Sequence, residues 1–167
     1  MDVVIVGAGV GGLVCSIELS KSGANVIVLE EHETIGIPSH CAGIVSTDYH
    51  KKIGIPYKSD LDLNVLYGLR FTSGSENIDV RARRPIAKVI SRKDLDLYLS
   101  GIATDSGSRI IMSNKAVRIE QNSKQVIVTD ERGERHEADY AVIADGIAGR
   151  VNRMIWPNKT TGKVYPL

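Results

Sequence analysis

The chain has 167 residues but only two cysteines, five prolines, one tryptophan and one phenylalanine; aromatic residues make up 5% of it. Two cysteines cannot build a disulfide framework, so the core must rest on hydrophobic packing, and a reducing, cytoplasmic setting is expected. Neither sign of charge dominates. Twenty-one Lys and Arg against 20 Asp and Glu leave +1, which excludes the basic footprint of a nucleic-acid binder. No apolar run approaches the roughly 20 residues of a bilayer-spanning helix, so no transmembrane segment is expected. The first apolar run starts at Val3, so no leader is expected ahead of it. Internal repeats and low-complexity tracts are missing too. What is there is an ordinary globular composition, 43% hydrophobic and 25% charged, long enough for a domain with its own core.

The most informative stretch is residues 3–30, VVIVGAGVGGLVCSIELSKSGANVIVLE. Residues 3–6 are β-branched and read as a buried parallel strand. Gly7 permits a sharp turn, Gly9 permits close approach of backbone to a pyrophosphate, and Gly12 permits the following helix to pack on the strand. That helix points its free N–H groups and positive dipole end at the phosphates. Leu13, Val14 and Ile17 supply its inward stripe, and Ser22-Gly23 ends it. Residues 26–29 form the second strand, closed by Glu30. A carboxylate there accepts ribose hydroxyls and repels a 2′-phosphate, which argues against NADP. The strand before the glycines, the helix after them and the acid at the expected offset are the context that a dinucleotide fingerprint requires.

Further along, residues 31–49 read as a loop, 48–53 as a short helix, and 63–71 with 78–82 as two strands of a hairpin. Residues 87–91 are extended, and 92–106 are helical with Leu95, Leu97, Leu99 and Ile102 as apolar positions. Residues 109–112 make a third core strand. Residues 115–121, 125–130 and 135–138 make a β-meander, and 140–144 an apolar strand that ends on Asp145-Gly146 before a helix running through Arg153.

Three segments line up with the glycine turn: residues 36–44, GIPSHCAGI; residues 90–96, ISRKDLD; and residues 139–146, DYAVIADG. Together they resemble the FAD-dependent geranylgeranyl reductases, within the wider group of aromatic-hydroxylase-like flavoproteins. The order and spacing match over most of residues 2–153. The resemblance implies an α/β fold: a Rossmann-like FAD-binding domain with a parallel sheet, a β-meander crossover and an inserted β-hairpin from an incomplete substrate domain. It implies a discontinuous domain over residues 1–153, the inserted hairpin at about 60–85, and a tail at 154–167.

The same resemblance implies roles. Gly7, Gly9 and Gly12 would hold the FAD pyrophosphate, with Ala8, Gly11 and Leu13 beside them. Glu30, with Glu31 next to it, would bind the adenosine ribose. Cys41, Ala42 and Gly43 would lie along the flavin. Arg92 would reach the phosphate or ribityl region, Ala116 or Val117 would touch the adenine through backbone, and Asp145 and Gly146 would support the pyrophosphate. A guanidinium facing a diphosphate makes bidentate charge-assisted bonds, which suits Arg92; on its own it reads equally as a surface helix residue. Asp-Gly after a buried strand lies where ligands gather in such sheets, or is a plain turn. Cys41 is either a flavin-pocket residue or a simple loop cysteine. With no second cysteine or histidine at ligand spacing, no metal is expected there. His40 stands where these reductases tend to carry a basic residue. Arg81, Arg83 and Arg84 read as a solvated strand end.

Relatives of this kind continue for about as long again after the Asp-Gly segment. The hairpin is therefore expected to have exposed edges: either the chain is a fragment or split product, or a second polypeptide supplies the rest, or it self-associates over that surface. The implied activity is reduction of isoprenoid double bonds by a flavoprotein, with an isoprenoid lipid as substrate and the protein cytoplasmic or peripheral to a membrane. No residue here reads as a general acid. Two alternatives remain: a flavin monooxygenase or halogenase fragment, and a non-catalytic FAD-binding subunit. An NAD-only Rossmann protein is disfavoured by the meander.

Overall fold

Val3, Val4, Ile5 and Val6 are each 6% exposed or less. A run apolar on both faces is what the centre of a parallel sheet requires. The computed structural model describes residues 1–39, 41–146 and 149–155. In chain order its elements are β1 (Asp2–Val6), α1 (Val10–Lys21), β2 (Asn25–Leu29), β3 (Ile44–Val45), α2 (Tyr49–Lys52), a 3₁₀ turn (Ser59–Leu61), β4 (Asp62–Leu66), β5 (Gly68–Ser73), β6 (Glu76–Arg81) and β7 (Ala87–Ile90). There follow α3 (Arg92–Asp105), β8 (Arg109–Ile111), β9 (Ala116–Gln121), β10 (Val126–Asp130), β11 (Arg135–Ala138), β12 (Tyr140–Ile143) and α4 (Arg150–Ile155). His40 and the tail from Trp156 onward lie outside the described residues.

The chain divides into two compact units, one of residues 1–38 and 96–167, the other of residues 39–95. In the first, a parallel sheet has the order β12-β1-β2-β8. Counting only core strands, this is the 3-2-1-4 order of a dinucleotide-binding half, and its reversal point lies between β1 and β12. Side chains alternate across the sheet. Val4 and Val6 join Leu29, Ala116, Val126, Val128, Ala138 and Val151 in one apolar cluster beneath the antiparallel meander β11-β10-β9. Val3 and Ile5 are thereby left for the α1 side. On α1 the buried positions are Gly12, Leu13, Ser16 and Ile17; Val14, expected inside, is only half-buried. Ser16 takes the inward place because its hydroxyl is satisfied locally, donating to Leu13 O at 2.8 Å.

The second unit holds two small antiparallel sheets, β3-β7-β4 and the hairpin β5-β6. The single strand expected over residues 63–71 is two strands. Residues up to Leu66 pair with β7, and those from Gly68 pair with β6. Gly68 permits the switch, since a Cβ there would come within 2.4 Å of Val80 O. On α3, Leu95, Leu99 and Ala103 are buried, and Leu97 is exposed. At 100° per residue, position 97 falls on the far side of the helix from 95 and 99.

Candidate functional site

The chain leaves β1 at Gly7, whose φ is +101°. A Cβ there would meet Ala144 O at 2.5 Å, and one on Gly12 would meet Gly7 O at 2.0 Å. These two glycines are demanded by the protein's own packing. Gly9 and Gly11 are different: among the described residues a Cβ on either would have nothing within 4 Å. Gly9 has an ordinary φ of −77°, and no side chain caps the helix it opens. The first intrahelical bond runs from Leu13 N–H to Gly9 O at 2.9 Å, so the amides of the first turn precede any helical partner. No acidic residue stands in that turn. The result is an open-sided cradle of backbone donors at a positive helix end, suited to a diphosphate.

Glu30 ends β2 beside that cradle. It is 9% exposed, and its Oε2 accepts the Ala8 N–H at 2.7 Å. Its Oε1 accepts the His32 N–H at 3.0 Å and lies 2.5 Å from His32 Nδ1. Glu31 pairs instead with Lys115, and that hydrogen bond holds its carboxyl below the usual range in spite of burial. Asn114 N–H donates to Glu30 O at 2.8 Å, which brings the start of β9, and so Ala116 and Val117, to the acid end of β2. Ala116 is buried and Val117 exposed.

After β12, Ala144 N–H bonds Val6 O at 2.8 Å, which sets the Asp145-Gly146 turn against the glycine turn; Gly7 would touch Asp145 Cα if it carried a Cβ. Both turns therefore stand at the carboxyl ends of β1 and β12, at the reversal point of the sheet. Asp145 Oδ2 accepts the N–H groups of Val151 and Asn152 at 2.9 and 3.2 Å, so its charge is spent at the start of α4. In the second unit Gly43 has φ +71° and bonds Ile90 N–H through its carbonyl at 2.9 Å. A Cβ on Gly43 would come within 2.2 Å of Ile90 O. The Cys41-Ala42-Gly43 loop is thus held next to Ser91 and Arg92. Cys41 is exposed, and its Sγ accepts the Gly43 N–H at 3.4 Å.

The structure brings together Gly7, Ala8, Gly9, Gly11, Gly12, Leu13, Glu30, Glu31, Ala116, Asp145 and Gly146 in one unit, and Cys41, Ala42, Gly43 and Arg92 in the other. Sequence reasoning missed His32 and Lys115, the side-chain partners of the two acids. His32, two residues past Glu30 at a strand end, was findable from local spacing. Lys115 lies 84 residues from Glu31 and was not. Asp130, Glu134 and His136 each offer a ligand atom within 4.8 Å of the others, yet both Asp130 oxygens already carry hydrogen bonds, so the cluster is a structural network.

A family model described as the FAD binding domain matches residues 1–166. The chain is 25% identical over 154 residues to a digeranylgeranylglycerophospholipid reductase of Methanocaldococcus jannaschii, covering 90% of this chain and 39% of that protein. It is 29% identical over 170 residues to digeranylgeranylglycerophospholipid reductase 1 of Methanothermobacter thermautotrophicus, covering 96% and 43%. The chain thus spans about two-fifths of the length of these curated relatives. Among solved structures, a geranylgeranyl bacteriochlorophyll reductase-like protein from Thermoplasma acidophilum superposes with a TM-score of 0.82 at 21% identity, over 98% of this chain and 43% of that one. Halogenase PltM in complex with phloroglucinol and FAD superposes with 0.72 at 21% identity, over 92% and 36%. At these identities the structural likeness establishes the fold.

Proposed function

The chain belongs to the FAD-binding domain family, and from that premise we propose that it is the FAD-binding portion of a geranylgeranyl-reductase-like oxidoreductase acting on isoprenoid double bonds. The observation that carries this is the open-sided glycine cradle lying one hydrogen bond, Ala8 N–H to Glu30 at 2.7 Å, from a buried carboxylate. Gly9 and Gly11 leave space that no described residue fills, which fits a diphosphate against the α1 N-terminus. When bound, FAD supplies hydride chemistry that no side chain performs. The work of the chain itself is binding and orientation. The cradle would stabilise the diphosphate's charge, Glu30 would accept the ribose hydroxyls, backbone at Ala116 and Val117 would contact the adenine, and Asp145-Gly146 would support the pyrophosphate. Cys41 to Gly43 would run beside the flavin, with Arg92 toward the phosphate or ribityl chain.

The curated relatives named as digeranylgeranylglycerophospholipid reductases support the substrate class, a lipid carrying isoprenoid chains. Such a substrate favours a cytoplasmic protein working at a membrane surface; no helix among the described residues is long and apolar enough to cross one. Further protein, from a second polypeptide or another copy, would complete the fold over the hairpin. The halogenase-type reading has structural neighbours of lower TM-score, 0.72 against 0.82, and NAD(P)H-dependent oxygen consumption would mark it. The decisive test is the absorption spectrum of the purified 167-residue chain before and after addition of FAD. Retained flavin bands after desalting support the reading. A colourless protein that neither retains nor quenches added FAD overturns it.

A further inference from the structure

His32 occupies part of the acceptor that the ribose needs. A carboxylate offers about four lone-pair positions. On Glu30, one on Oε2 takes the Ala8 N–H, and two on Oε1 take the His32 N–H and the His32 ring. Because a carboxylate only accepts, the ring nitrogen Nδ1 is the donor in that 2.5 Å contact. One position is left. An adenosine ribose presents a vicinal diol, and a grip on both hydroxyls needs two. The His32 backbone is fixed, since its carbonyl accepts the Ser113 N–H at 3.0 Å. Its side chain is not: it is 43% exposed and turns about two single bonds. Of the other charged groups at this edge, Lys115 pairs with Glu31, Arg132 donates to Ser113 O, and Arg150 acts on Glu31 through space.

We infer that the His32 imidazole is a displaceable occupant of the second ribose-hydroxyl position on Glu30, so that each FAD bound must first break the His32–Glu30 contact. The inference rests on the reading of Glu30 as the ribose carboxylate. It makes His32 a residue that sets affinity by competition, with no direct part in chemistry. Removing the ring frees the position without cost to the nucleotide.

The test uses the full chain, with FAD affinity read by flavin fluorescence quenching and with ADP, 2′-deoxy-ADP and 3′-deoxy-ADP titrated by calorimetry. His32→Ala should bind FAD and ADP at least roughly tenfold more tightly than wild type, the lower end of the worth of one hydrogen bond to a charged group. At least one deoxynucleotide, which needs only one acceptor, should gain little, so the ratio of its Kd to that of ADP widens in the variant. His32→Phe keeps the ring and removes the nitrogen, and should behave like His32→Ala. Equal or weaker FAD binding in both variants overturns the inference, as does an equal gain for ADP and both deoxynucleotides. Glu30→Gln separates the two levels: if it binds FAD as tightly as wild type, the ribose reading itself fails.

Discussion

Asp130 is 1% exposed, and each of its oxygens takes two donors. Oδ1 accepts the N–H groups of Arg132 and Glu134, both at 2.9 Å, and Oδ2 accepts Asn114 Nδ2 at 2.9 Å and His136 Nε2 at 3.1 Å. Burial pushes its carboxyl up, but the bonds from His136, Asn114 and the two amides outweigh burial and bring it from 3.8 down to about 2. A folded-state value below the unfolded one gives stabilisation that is complete above about pH 4 and is lost as the pH falls from there. Asp130→Ala leaves two buried partners without an acceptor and should cost about 3 kcal/mol at pH 7. Urea unfolding of both proteins at a series of pH values checks it; the gap should close toward pH 2, and a pH-independent gap would show that charge has no part in it. Sequence reading placed Asp130 at a strand end and went no further. The two amides are local to the turn after β10, but the side-chain partners come from the loop after β8 and from β11, and only the register of the meander, Asp130 opposite Ala116 and Val128 opposite His136, brings those in.

At the scale of elements, β1, α1 and β2 were legible because everything that forms them is local: a β-branched run, three spaced glycines, a second apolar run and an acid. Gly7 and Gly12 exist for packing, Gly9 for open space, and the two kinds separate by experiment. Gly12→Ala drives a methyl to within 2.0 Å of Gly7 O, a backbone atom that cannot yield. It should cost roughly 3 kcal/mol or more and lower the thermal midpoint by roughly 6–12 °C for a chain of this size. Gly9→Ala meets none of the described residues within 4 Å and should leave stability within about 1 kcal/mol. It should weaken FAD at least about tenfold, because the methyl stands where the diphosphate approaches. Equal loss of stability in both variants would remove the distinction. The break in residues 63–71 was not legible for the opposite reason. Alternation continues through Tyr67, and what divides β4 from β5 is the choice of partner, β7 or β6, which no local pattern carries.

At the scale of the whole molecule, the two units differ in how well each is covered. Hairpin β5-β6 sorts its side chains cleanly. Arg70 with Asp79 and Thr72 with Asn77 pair on one face, while Leu69, Phe71, Ile78 and Val80 share the other and are all exposed. A contiguous apolar face of this kind associates, so the elution volume should depend on concentration, and Phe71→Thr with Ile78→Thr should remove that dependence and leave FAD affinity unchanged. The resemblance implies exposed edges on this hairpin and says nothing of its faces, and alternation alone does not say whether an apolar face finds a cover. The unit of residues 1–38 and 96–155 carries the glycine cradle and Glu30 and should answer to FAD as a unit. A ligand at 100 times its Kd stabilises the folded state by about 2.7 kcal/mol, which for this length is a rise in thermal midpoint of roughly 5–10 °C. Hydrogen exchange with and without FAD locates the effect. Protection should rise at the turn between β1 and α1, at the end of β2 and at residues 143–146, and the remote edge of the meander near Asn122 should change little. A rise in midpoint without protection at those three segments would mean that FAD binds this chain somewhere other than the cradle.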